Sequence, residues 1–63
     1  MYTVKQARTL GGFTQVEVAK ALGVHVNTYQ RVEQHPEKAT IEFAKAFSQF
    51  VKIPLDDISF FAD

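Results

Sequence analysis

An all-α fold, a compact bundle of five short helices, is what this sequence predicts, and three observations carry the prediction. Apolar residues recur at helical spacing along most of the chain, threonines stand before several of those runs as ready caps, and Gly or Pro punctuates their ends. At 63 residues there is room for one small domain spanning the chain, burying roughly 60% of the surface its unfolded chain exposes. No repeat, low-complexity run or internal linker divides it.

Thr3 is the expected cap of a first helix running to about Leu10, which Gly11 and Gly12 end. Phe13 then packs inward ahead of Thr14, the cap of a second helix. Glu17, three residues on, completes a capping box with Thr14, so that two otherwise orphan backbone donors are satisfied reciprocally. Val18, Ala19 and Leu22 share one face of this helix, with Ala19 small at the point where the next helix must cross closely. Gly23 stands at the sharp turn that follows, where glycine takes positive φ without steric strain. Val24, Tyr29 and Val32 resume an apolar face, which gives the third helix an inside and, by subtraction, an outside. Residues 35–39 form a polar connection, and Pro36 enforces a helix end because it disfavours helical geometry at His35. Thr40 caps a fourth helix through about Val51, and Pro54 introduces a fifth, a last short helical turn around Leu55 to Ser59. Asp56 and Asp57 point to different faces and read as N-terminal charges favoured by the helix dipole.

The fourth helix carries two apolar stripes, Ile41, Ala44, Phe47 and Val51 beside Phe43, Ala46 and Phe50. Two expectations follow. Either a small domain buries this helix on both stripes, or Phe43 and Phe50, with Phe60 or Phe61, form an exposed patch for a partner subunit.

The outside of the third helix is more informative. At about 100° per residue, Asn27, Gln30, Arg31 and Gln34 fall together, opposite Tyr29 and Val32, and the core needs none of them. Asn27 and Arg31 are four apart and adjacent on one ridge. Asparagine pairs bidentately with adenine and arginine with guanine, so a polar face that any amphipathic helix has becomes a candidate base reader. What favours DNA over plain solvation is the setting: residues 15–34 are two short helices joined by a tight turn, the helix-turn-helix signature. Tyr29 is expected mainly in the core, its hydroxyl within reach of a phosphate.

Taken together, Arg8, the run Gly12-Phe13-Thr14-Gln15, Ala19, Gly23-Val24, Thr28-Tyr29, Glu33 and the ending Ile53-Pro-Leu-Asp-Asp-Ile58 resemble the phage-repressor and Cro-like family, the xenobiotic-response-element type of helix-turn-helix. The resemblance covers essentially all of the chain and implies a lambda-repressor-like bundle. It further implies that Gln15 touches a DNA phosphate and buttresses the recognition helix, and that Arg8 and Glu33 form a structural ion pair. Two positions depart from the family pattern. His25 stands where Ser or Thr usually caps the recognition helix, and because His is a poor cap the helix is expected to start loosely or one residue displaced. His25 is either a partly exposed surface histidine or a phosphate or base contact. Gln34-His35-Pro36 replaces the glycine that often closes this helix.

Charge and composition exclude several classes. The formal net charge is zero, which argues against strong nonspecific attraction to nucleic acid, but residues 1–38 carry +2 and the remainder −2. Zero cysteines exclude disulfides and thiolate metal sites, and His25 and His35 have no carboxylate at ligand spacing, so neither a metal nor a cofactor is expected. With no apolar run of membrane-spanning length and no signal peptide, the expectation is a cytoplasmic protein with neither a membrane nor a small-molecule substrate as partner. Nothing in the chain assembles nucleophile, base and orienting group, so no enzyme is expected.

The function expected is sequence-specific binding of double-stranded DNA, as a repressor that is a homodimer at least on a near-palindromic operator. Asn27 and Arg31 read bases, with Gln30 and with Val26 on a thymine methyl, while Thr14, Gln15, His25, Thr28 and Gln34 meet phosphates or the groove edge. The competing expectation is a protein-interaction module on the same fold, such as an antitoxin or regulator-binding subunit.

Overall fold

The structure, a computed structural model, describes residues 1–60. Its described part is all-helical, with four α-helices: α1 (Val4–Leu10), α2 (Gln15–Ala21), α3 (Val26–Gln34) and α4 (Ile41–Val51). Short 3-10 turns at Pro36–Lys38 and Leu55–Asp57 complete it. The fifth helix expected at Leu55 to Ser59 is therefore only the second of these turns. Its physical stop is Ile58, which adopts extended geometry (φ −112°, ψ 131°) and forms a parallel bridge with Tyr2. The Tyr2 N–H donates to the Asp57 carbonyl and the Ser59 N–H to the Tyr2 carbonyl, each at 2.7 Å.

The helix starts follow from local chemistry. Thr3 and Thr14 each accept from the backbone N–H three residues on, and Gln6 and Glu17 each return a bond to the cap's own N–H, so both helices begin with a closed capping box. Thr40 caps α4 by accepting from Phe43 N–H at 3.0 Å. Gly12 (φ 83°) and Gly23 (φ 72°) take the left-handed conformation that the two turns around α2 demand. At the end of α4 the same conformation falls on Lys52 (φ 60°, ψ 39°), where a Cβ crowds the following carbonyl at a cost of roughly 1 kcal/mol. Lys52→Gly is accordingly expected to raise unfolding stability by about 0.5–1 kcal/mol in urea denaturation, the gain being trimmed by glycine's greater freedom when unfolded. An unchanged midpoint would mean that the Lys52 side chain recovers the strain by contacts of its own.

The core gathers Val4 and Ala7 of α1, Val18 and Ala19 of α2, Tyr29 and Val32 of α3, and Ala44, Phe47 and Val51 of α4, closed by Ile53, Ile58 and Phe60. Phe47 is at its centre, with its ring centroid 6.2 Å from that of Tyr29 and 5.7 Å from the edge-on ring of Phe60. Apart from Ile41, which is exposed, both stripes of α4 are used internally. Phe43 and Phe50 are half-buried and pack against this core, Phe50 on Phe13 with ring centroids 4.5 Å apart. Phe60 is 1% exposed. A domain this small draws these rings inward because it has little else to bury, which removes Phe60 from the expected patch and leaves only the outer portions of Phe43 and Phe50 for one. Phe61, the other ring considered for that patch, lies outside the described residues.

Candidate nucleic-acid interface

The tight turn at Gly23 sets α3 across α2, with Ala19 (2% exposed) at their crossing. Tyr29 and Val32 anchor α3 to the core, which leaves Asn27, Thr28, Gln30, Arg31 and Gln34 exposed along its outer side. Val26 is half-buried and packs partly on the core, so it presents only a portion of its side chain outward. Among the described residues, the side chains of Asn27 and Arg31 make no hydrogen bond.

His25 corrects an expectation. It is the N-cap of α3, in extended geometry, and its Nδ1 accepts from the backbone N–H of Asn27 at 3.1 Å. The helix therefore starts in register, with an imidazole lone pair standing where a hydroxyl oxygen usually does. This bond requires Nδ1 to be unprotonated. The ring remains exposed on the edge of the interface.

Behind the exposed face runs a continuous polar network. Arg8 Nε donates to Glu33 Oε2 at 2.6 Å, in a pair whose side chains are 12% and 6% exposed, and Arg8 Nη1 donates to the Phe13 carbonyl at 2.9 Å. One guanidinium thus ties the end of α1, the loop before α2 and the last turn of α3 together. The other Glu33 oxygen, Oε1, accepts from Gln15 Nε2 at 2.9 Å, and Gln15 Oε1 accepts from Gln30 Nε2 at 3.1 Å. Burial pushes the Glu33 pKa up, but the bonds from Arg8 and Gln15, with the nearby Tyr29 hydroxyl, outweigh it and hold the carboxyl below its ordinary range. The hydrogen bond to Glu33 lifts the Arg8 pKa against the opposing effect of burial.

The Tyr29 hydroxyl is buried beside this pair, without a hydrogen bond of good geometry yet close enough for Glu33 and Arg8 to act on its proton. Burial, and then the neighbouring carboxylate, drive its pKa far up, so it is a neutral phenol. It faces inward, which corrects the idea that it reaches a phosphate.

Sequence reasoning passed over Lys5. This exposed residue in the first turn of α1 lines a cleft of about 430 Å³ with Gln15, Gln30, Glu33 and Gln34, placing a cation where the first turn of α2 meets the end of α3. Its only sequence-level sign is a basic residue three before Arg8. Gln15 is half-buried at the cleft and Thr14, exposed, precedes it. Among the described residues there is no cluster of His, Asp or Glu arranged to hold a metal ion, and no helix long and apolar enough to cross a membrane.

This arrangement, two helices at a glycine turn with a polar outer face on the second, defines a helix-turn-helix. The helix-turn-helix family model of the Cro/C1 type matches residues 4–58, and the chain belongs to that family, one of DNA-binding transcription regulators that are not typically enzymes. No curated protein and no solved structure matches the chain.

Proposed function

We propose that the chain is a single DNA-binding domain that recognises a specific duplex sequence and represses transcription as a homodimer on a near-palindromic operator inside the cell. The observation that carries this reading is the outer side of α3: Asn27 and Arg31 are exposed and unengaged within the described chain, on a helix held from behind by the Arg8, Glu33 and Gln15 network. In a major groove, Asn27 pairs with adenine, Arg31 with guanine, and the outward part of Val26 meets a thymine methyl. Gln15, Thr14 and Lys5 hold phosphate on one flank, with His25, Thr28 and Gln34 at the groove edges. A net charge of zero makes the affinity of one protomer modest, and two half-sites bound together multiply it. A protein-binding module on the same fold draws support from the zero net charge and from the surplus phenylalanines, and the second of these is weakened because Phe43 and Phe50 pack on the core.

The test is selection from a random pool of duplexes at about 0.1 M salt, where weak nonspecific attraction is largely screened. Wild type should enrich a near-palindromic site that the Asn27→Ala, Arg31→Ala double variant fails to select. Loss of two good base contacts should weaken binding to that site at least about thirtyfold. Absence of enrichment by a folded wild type would overturn the reading.

A further inference from the structure

We propose that Gln30 acts on DNA through Gln15: it is a positioning residue that sets the plane of the Gln15 amide for a backbone phosphate, and it does not itself read a base. The inference deepens the DNA-binding reading and rests on it.

Geometry separates Gln30 from its neighbours on α3. Its Nε2 donates to Gln15 Oε1 at 3.1 Å, across the gap between α3 and the first residue of α2. Gln15 Nε2 in turn donates to Glu33 Oε1 at 2.9 Å. An ionised carboxylate only accepts, so the Gln15 nitrogen must face Glu33 and its oxygen must face Gln30. The terminal torsion of a glutamine is otherwise broad, and one anchor leaves the amide free to swing. Two anchors at opposite ends fix its plane. Gln15 is then left with a single uncommitted N–H, in the cleft that Lys5 also lines, and that N–H is the donor available to a phosphate oxygen. Gln30 has given one of its own N–H groups to a sideways bond that draws its amide toward α2. Asn27 and Arg31 carry no such tie.

A double-mutant cycle on Gln15→Ala and Gln30→Ala tests this, with affinity titrated on the selected duplex and on an unrelated one. Gln30→Ala should weaken both complexes by the same factor, roughly two- to tenfold for one lost hydrogen bond. It should leave the selected base sequence unchanged and add nothing once Gln15 is already alanine. A loss confined to the selected duplex, or one that persists undiminished in the Gln15→Ala background, makes Gln30 a base reader and overturns the proposal. Side-chain amide NMR of the free protein provides an arm that needs no DNA. Gln30→Ala should shift the Gln15 amide protons, and unmoved signals would overturn the link. A wild type that binds neither duplex overturns the DNA-binding reading and the phosphate role with it, and the amide signals tell that failure apart from a missing link between the two glutamines.

Discussion

Replacing Arg8 by alanine is expected to unfold the protein near neutral pH. The substitution leaves Glu33, whose side chain is 6% exposed, without its cation, and also removes the bond to the Phe13 carbonyl. An unpaired buried charge costs about 3–5 kcal/mol, which is of the order of the whole stability that a core of this size supplies. The pH dependence should also reverse. In the wild type the folded-state pKa of Glu33 is depressed, so its contribution is complete above the ordinary carboxylate range and fades as pH falls through the lowered value. Without Arg8, burial, the largest single influence on Glu33, is no longer outweighed and the folded-state pKa rises. The variant is then least unstable below the ordinary carboxylate pKa and loses stability as pH rises through the new value. Circular dichroism with urea titration, near neutral pH and near pH 4, reads both effects. An Arg8→Ala protein as stable as wild type that has simply ceased to bind DNA would make Arg8 a contact instead of a brace.

Phe47→Ala is the second large effect, expected at about 3–5 kcal/mol. The ring is fully buried and stands between Tyr29 and Phe60, so its loss opens a void that touches α3 and the C-terminal segment at once. Phe43→Ala and Phe50→Ala remove rings that are only half-buried and should cost clearly less, though both should still lower the thermal midpoint. Because Phe47→Ala approaches the total stability, the series is best compared in a stabilising osmolyte. Full stability of the Phe43 or Phe50 variant, with loss of self-association only, would make these rings an apolar patch between subunits.

What the sequence made legible was whatever local chemistry decides. Thr14 with Glu17 closes the expected capping box, Gly23 takes the positive φ expected of it, and Val18, Ala19, Tyr29 and Val32 face inward as their spacing requires. The outer face of α3 followed by subtraction. Where long-range contacts decide, sequence reasoning fell short. Ile58 was read as part of a helix because its extended geometry depends on pairing with Tyr2 at the other end of the chain. Phe43 and Phe50 were ambiguous because spacing identifies a stripe without saying what covers it. His25 was underrated as a cap because its ability depends on which ring nitrogen carries the proton. The bond between Gln15 and Gln30, and the approach of Lys5 to both, arise only when α1, α2 and α3 are assembled, so no pattern along the chain announces them.

The parallel bridge between Tyr2 and Ile58 closes nearly the whole chain into a ring. Closure entropy grows only slowly with loop length, so two short backbone bonds flanked by buried Val4 and Phe60 suffice to hold it. Fraying, which ordinarily begins independently at each terminus, is here a joint event. Val4, Ile58 and Phe60 belong to one buried cluster, so the two segments are expected to exchange their amide protons as one cooperative unit. A disturbance at Tyr2 therefore bears on Ile58, and the reverse, although 55 residues of chain separate them.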